Sequence, residues 1–256
     1  MATVTAQSSV VEAASPVGRL GYPVLYLAAF LATFTFGSMN LLAPVFGSEL
    51  KADGLAQSFI LSSYTTVLAT VLILSGRLGD RFGRRQVLAW GLLIFAIASI
   101  GAGFSTTVTL LIVARVVQGI GIGLVLPQIL STIQATSTGE KRTRALAPYA
   151  AIAGAGTVIG QIISGVLLSA NLFGLSWRPV MFVAALIALI SLALVKLVRP
   201  TKSDAPLAMD AFGAVMLGIA LAAFIVAMTL FSAGAVLWLA ATLLVLAAVL
   251  GLLCRP

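Results

Sequence analysis

From residue 20 onward the chain is a succession of long uncharged windows, mostly apolar, separated by short clusters of arginine and lysine. A helix needs about 20 mostly apolar residues to cross the hydrocarbon layer of a bilayer. The windows are continuously apolar rather than alternating, so they predict helices and not the strands of a barrel. Residues 20–48 hold one span and 54–76 a second. Residues 86–139 contain a single charge, Arg115, and are long enough for two spans, with a break expected near Ser105-Thr106-Thr107. Residues 145–177 hold a fifth span with some loop, and 179–195 a tight sixth. Residues 211–254 are uncharged and fit two more, turning near Ser232-Ala233-Gly234. The expected fold class is an all-α, polytopic transmembrane helical bundle of about eight spans.

Lys and Arg in short loops set the orientation of such a bundle, because cytoplasmic loops carry them in excess. With a cytoplasmic N-terminus, the inside segments hold Arg19, Arg77, Arg81, Arg84, Arg85, Lys141, Arg142, Arg144, Lys196, Arg199, Lys202 and Arg255. The outside loops hold only Lys51 and Arg178. Twelve against two predicts that both termini are cytoplasmic in a multi-pass protein of the plasma membrane. Residues 199–210, RPTKSDAPLAMD, combine two prolines with Ser, Lys and Asp and read as a linker. The chain thus divides into a cytoplasmic tail (1–22), a six-helix unit (23–198), a cytoplasmic linker (199–210) and two additional helices (211–256). The tail lacks the basic start and short apolar core of a signal peptide.

Composition agrees and narrows the chemistry. Apolar residues make up 61% and charged residues 9%, whereas a soluble domain is about a quarter charged. The net charge of +8 sits between apolar runs instead of forming a basic face with interleaved aromatics, which argues against a nucleic-acid partner. One cysteine, Cys254, allows no intrachain disulfide. The absence of histidine removes the commonest general base and His-ligated metals. No Ser-His pair, Asp pair or metal-ligand set falls within a span, so neither an enzyme nor a cofactor is expected.

The most informative polar stretch is Gly76-Arg77-Leu78-Gly79-Asp80-Arg81-Phe82-Gly83-Arg84-Arg85, between the second and third spans. The glycines suggest a tight turn with close helix approach. Asp80, the one acid among four arginines, is expected near a helix start, favoured by the dipole and by charge pairing. This order resembles the signature of the major facilitator superfamily, G-x-L-x-D-R-x-G-R-R/K, at the same place. The resemblance implies that Gly76, Asp80, Arg81, Gly83 and Arg84 belong to a gating network that stabilises one end state of alternating access. Part of that network lies in a C-terminal domain of the family.

Arg115 lies inside the fourth span with Gln118 one turn on, followed by Gly119, Gly121, Gly123 and Pro127. A charge there is costly and should face the bundle interior or a cavity; the alternative is snorkelling to the interface. The pattern resembles the family's R-x-x-Q-G-x-G, whose Arg is associated with proton coupling or with holding charge in the cavity. In the fifth span Gly156, Gly160 and Ser164 recur every four residues, giving one face on which helices pack closely. With Gly154 and Gly165 they resemble the antiporter motif G-x-x-x-G-P-x-x-G-G, although Gln161 replaces its proline and Ser164 a glycine. In the first span Asn40 and Pro44 match the N-x-x-x-P of drug:proton antiporters, but Thr35 stands where these often carry an acid. All seven acids of the chain lie in loops or at span ends. Trp177-Arg178 and Asp210-Ala211-Phe212-Gly213 resemble the starts of the sixth and seventh spans in fourteen-helix members.

The resemblance covers residues 24–254 and corresponds to just over the first half of such a transporter: a facilitator-type six-helix half plus two linker helices. It implies transport of a small molecule, drug-like or metabolite efflux coupled to protons, with an apparently truncated N-terminal portion that needs a missing C-terminal half or a homo-oligomer. The alternative is a non-transporting or partner-dependent membrane module derived from such a transporter. Arg115, Gln118, Asn40 and Gln161 are the polar cavity candidates, and Phe34, Phe36 and Tyr64 the apolar ones. Gly119, Gly123, Gly156, Gly160, Ser164 and Gly165 are the expected packing positions.

Overall fold

The computed structural model describes residues 21–202 and Ala223. Among them six helices are long and apolar enough to cross a membrane, and no strand occurs among the described residues. The helices are α1 (Gly21–Glu49), α2 (Gly54–Phe82), α3 (Arg84–Gly103), α4 (Val108–Thr136), α5 (Gly139–Ala170) and α6 (Arg178–Leu194), with 3-10 turns at Leu172–Gly174 and Val195–Leu197. The seventh and eighth expected spans, most of the linker and nearly all of the N-terminal tail lie outside the described residues.

The termini follow from local chemistry. Asp53 caps α2, its carboxylate accepting from the Ala56 N–H at 2.7 Å, and Thr107 caps α4 by accepting from the Leu110 N–H at 3.2 Å. The third and fourth spans break where expected, since α3 ends at Gly103 and α4 begins at Val108. Asn171 closes α5 in the left-handed region (φ +39°), a conformation that asparagine tolerates.

One expectation is corrected at the α2–α3 junction. The second helix does not stop at residue 76 but continues to Phe82, so Gly76 and Gly79 are helical and only Gly83 turns the chain, at φ +97°. Asp80 consequently sits in the last turn of α2 and not at a helix start. A carboxylate is disfavoured by the dipole there, so its charge partner has to hold it.

Packing within the unit has an internal symmetry. α2 packs chiefly on α4 and α1 on α5; α3 packs on α4 and α6 on α1; α3 and α6 pack on each other. Exchanging α1, α2, α3 with α4, α5, α6 maps this set of pairings onto itself. Successive spans alternate in direction, so helices three apart run antiparallel, the arrangement of an inverted repeat. Three helices of 29 residues and one of 32 reach beyond a hydrocarbon layer about 30 Å thick, at 1.5 Å per residue.

The core is built from Leu25, Leu31, Phe34, Met39 and Phe46 of α1, Leu88, Leu92 and Phe95 of α3, and Ile122, Val125, Ile129 and Ile133 of α4. α2 and α5 are the least buried helices, and on α5 Val158, Ile162 and Val166 form an exposed stripe at i, i+4, i+8. An outward apolar face is tolerable in a bilayer, where every backbone group is already satisfied within its helix.

At one end of the bundle Arg178 ties three elements together. Its guanidinium lies 3.7 Å from the Glu49 carboxylate and donates to the Ser105 carbonyl at 3.4 Å. Beside it Trp177 is fully buried and meets Phe46 edge-on at 5.1 Å.

Candidate functional site

At the opposite end of the bundle, the turn between α2 and α3 is fastened to α4. The Gly83 N–H donates to the Gly79 carbonyl at 2.9 Å and closes α2. Arg84, the first residue of α3, donates through Nη2 to Asp80 Oδ1 at 3.0 Å and through Nη1 to the Ser131 carbonyl of α4 at 3.0 Å. One guanidinium thus neutralises the acid at the end of α2 and holds it against α4. Arg81 lies exposed, 5.3 Å from the Phe82 ring. Gly76 has open space where a Cβ would be, whereas a Cβ on Gly79 would collide with the side-chain amide of Gln128.

Gln128 was not singled out from the sequence. It is fully buried on α4, and its Nε2 donates to the Ser75 carbonyl at 2.8 Å and to Ser75 Oγ at 3.0 Å. Ser75 Oγ in turn donates to the Leu124 carbonyl at 2.9 Å. The signal available in the sequence was a lone amide in an otherwise apolar window, ten residues after Gln118. Its partner Ser75 carried none.

The intramembrane arginine is buried inside the bundle. Arg115 is 1% exposed. Its Nη1 donates to Gln118 Oε1 at 2.8 Å, and its Nε donates to the Ile60 carbonyl of α2 at 3.3 Å. Its guanidinium lies 4.3 Å from the centre of the Tyr64 ring. Gln118 passes the network on, donating from Nε2 to Ser99 Oγ of α3 at 2.8 Å. Tyr64 reaches the Ala32 carbonyl of α1 at 3.4 Å. A charge at this depth is retained only when neighbours replace its hydration; here one carbonyl, one amide and one aromatic face do so. α1, α2, α3 and α4 all meet at this node, and Ser99 is a second member that sequence reasoning missed.

The glycines flanking the node explain how the backbones come close enough. A Cβ on Gly119 would lie 2.7 Å from the Tyr64 carbonyl oxygen, and one on Gly123 2.7 Å from Val71 Cβ, both on α2. Gly121 faces the other way, where a Cβ would lie 2.8 Å from the Gly91 carbonyl oxygen of α3. The three small residues therefore seat α4 between two neighbours at once.

On α5, Gly156 and Gly160 press against α1. A Cβ on Gly160 would stand 2.9 Å from Phe34 Cα, and one on Gly156 3.0 Å from Thr33 Cβ. Ser164 is buried in line with them. Gly165 is looser, with Leu41 Cδ2 at 3.6 Å from where a Cβ would be. The remaining cavity candidates are not gathered together. Asn40 is exposed and folds back on α1, its Nδ2 donating to the Phe36 carbonyl at 2.9 Å. Gln161 and Phe36 are exposed, whereas Phe34 and Tyr64 are buried. No three His, Cys, Asp or Glu side chains gather to hold a metal among the described residues.

Comparison with known proteins agrees with this architecture. Residues 25–251 match a family model described as Major Facilitator Superfamily. The chain is 33% identical over 170 residues to the MFS-type transporter Rv1250 of Mycobacterium tuberculosis, covering 66% of this chain and 29% of that protein. It is 33% identical over 176 residues to the tetracenomycin C resistance and export protein of Streptomyces glaucescens, covering 68% and 32%. It is 37% identical over 131 residues to the methyl viologen resistance protein SmvA of Salmonella typhimurium, covering 51% and 26%. The chain spans well under half the length of these curated relatives. Among solved structures, the POT family transporter PepTSo superposes with a TM-score of 0.67 at 14% identity, over 93% of this chain and 52% of that one.

Proposed function

The chain belongs to the major facilitator superfamily, and from that premise we propose that it is the N-terminal half of a proton-coupled exporter of small drug-like molecules or metabolites, working by alternating access. The observation that carries this reading is the way α4 couples two polar devices. The intramembrane Arg115 is held on α2 through Ile60, and about 24 Å further along α4, at 1.5 Å per residue, Ser131 receives the Arg84 that neutralises Asp80. A movement at the gate turn is thereby transmitted to the level of Arg115 by a rigid helix pair. The printed names of the tetracenomycin C exporter and of the methyl viologen resistance protein support a drug-like substrate class.

In this reading Asp80, Arg81 and Arg84, with Gly76 and Gly83, form the gate of the α2–α3 turn, and Arg115 and Gln118 modulate charge in the path. Asn40 and Gln161, both exposed on the unit, face the substrate from α1 and α5. The described acids Glu49, Asp53, Asp80 and Glu140 all stand at helix ends, so the carboxylate that carries the proton comes from the opposing half. That half is supplied by continuation of the chain or by a second copy. The uneven distribution of Lys and Arg between the two ends supports a plasma-membrane orientation with both termini cytoplasmic.

The test is efflux of a fluorescent cationic dye from cells expressing the gene product, with and without an uncoupler that collapses the pH gradient. Gradient-dependent efflux that Arg115→Ala reduces at equal membrane abundance is the expected result. Efflux untouched by the uncoupler would refute proton coupling, and full activity of the Arg115→Ala protein would refute the role of the buried node.

A further inference from the structure

A small cavity borders the α2–α3 turn, between it and the segment that follows α6. Its volume is about 190 Å³, and its walls are Phe82, Gly83, Arg85, Gln86, Pro200, Thr201 and Lys202. A single water needs roughly 10–15 Å³ by the same kind of measure, so a polyatomic group fits. The two sides are physically joined, because the Arg84 N–H donates to the Thr201 carbonyl at 3.0 Å.

The electrostatics of the cavity are unbalanced. Asp80 is committed to Arg84 at 3.0 Å, and neither Arg85 nor Lys202 has an ion pair among the described residues. Thr201 Oγ1 is buried with no hydrogen-bond partner among the described residues, although buried hydroxyls are ordinarily satisfied. The first turn of α3 carries no acid and its cap makes no side-chain hydrogen bond, so its positive end adds to the basic character here, with the Arg84 N–H met by the neutral Thr201 carbonyl. Two cations, a hydroxyl and an amide therefore line one recess in which no acid stands among the described residues.

The position is that of the headgroup layer. α3 has 20 residues, a length of about 30 Å that matches the hydrocarbon thickness, so its first turn lies at the bilayer boundary. Phe82 and Trp90 are both exposed, with ring centres 5.7 Å apart, and tryptophan is enriched near the membrane–water interface. A basic recess between helix ends at this level suits an anionic lipid headgroup.

We propose that this recess binds the phosphate of an anionic phospholipid, with Arg85 and Lys202 as its cationic ligands and Thr201 and Gln86 completing the contacts. Placing that lipid in the cytoplasmic leaflet rests on the orientation proposed above; the site itself does not. Bound phosphate bridges Arg85 of α3 to Lys202 beyond α6 and pins the segment after α6 to the gate turn. Lipid composition then acts on the gate without entering the transport path.

The experiment is native mass spectrometry of the 256-residue chain in neutral detergent, titrated with dioleoyl phosphatidylglycerol or dioleoyl phosphatidylcholine. We expect at least tenfold preference for phosphatidylglycerol. Arg85→Gln and Lys202→Gln should each weaken its binding about fivefold, the worth of one basic residue at an anionic surface. Lys51→Gln, which removes the same charge at the far end of the bundle, should leave it unchanged. Equal affinity for the two lipids, or equal loss in the Lys51→Gln chain, would overturn the site. Displacement of the lipid by millimolar inorganic phosphate would overturn the lipid as its ligand in favour of a free anion. A preference that appears only after Asp204→Asn and Asp210→Asn would show that the chain's own acids occupy the recess, and would overturn the proposal too.

Discussion

The seam between α1 and α5 predicts different outcomes for two glycines only six residues apart. Gly154 and Gly160 both lie inside α5, and both precede or follow Gly156 in the same small-residue pattern. At Gly154 nothing stands within 4 Å of an added Cβ; at Gly160 a Cβ would lie 2.5 Å from the Phe34 carbonyl oxygen and 2.9 Å from Phe34 Cα. The neighbour at Gly160 is backbone, so relief requires the two helices to separate. Such overpacking costs about 1–3 kcal/mol. Alanine is favoured over glycine in a helix by about 1 kcal/mol, and because both substitutions share that gain, it cancels in their comparison. Gly160→Ala should therefore be less stable than Gly154→Ala by about 1–3 kcal/mol. For a chain of this size each kcal/mol moves the midpoint by roughly 2–4 °C, so a 2 kcal/mol difference separates the midpoints by about 4–8 °C. The assay is thermal unfolding of both variants in one detergent at one scan rate, since unfolding of such proteins is commonly irreversible. Midpoints that agree within about 1 °C, or a Gly160→Ala chain more stable than the Gly154→Ala chain, would refute close α1–α5 packing at this position.

Three further outcomes follow from the geometry. Asp80→Asn keeps the shape of the α2–α3 turn but removes the charge that pairs with Arg84; under the proposed gating role dye efflux should fall severalfold with membrane insertion intact, and normal efflux would refute that role for Asp80. Gly79→Ala should destabilise the protein because the new methyl strikes the Gln128 amide, and Gln128→Ala should relieve that clash, giving a coupling of about 0.5–3 kcal/mol in a double-mutant cycle of unfolding midpoints; additive effects would mean that the two residues do not touch. Glu49→Gln breaks a partly exposed pair with Arg178 at 3.7 Å, so it should cost no more than about 1 kcal/mol. A loss of 3 kcal/mol or more would show that this end of the bundle depends on the charge.

Much of the architecture was legible because a bilayer imposes one-dimensional rules. Length of apolar run, absence of charge and placement of Lys and Arg depend on sequence alone, and they located the six described helices to within a few residues at most ends. The exceptions, the junction after the second span and the ends of the fifth (145–177 expected, Gly139–Ala170 found), have a physical cause. Charge density marks where a span leaves the hydrocarbon, not where its helix ends, so α2 runs on through Gly76, Gly79 and Asp80 to Phe82. Only a positive φ, at Gly83, ends it, and no count of charges reveals which glycine of three takes that conformation.

The polar sites divide in the same way. Arg115 is conspicuous in sequence because a charge inside a span demands compensation, and Gln118 because it lies one turn on. Ser99, Ser75 and Gln128 are ordinary residues until helices from distant parts of the chain bring them together, 19 positions apart for Gln118 and Ser99 and 53 for Gln128 and Ser75. Likewise the sequence marks Gly119, Gly121 and Gly123 as small, but only packing sends the outer two toward α2 and the middle one toward α3. Hydrophobicity and charge thus determine which segments enter the membrane, since that is a transfer free energy summed along the chain. Which faces meet, and so which polar groups satisfy one another, is decided by interhelical packing, whose partners lie far apart in sequence.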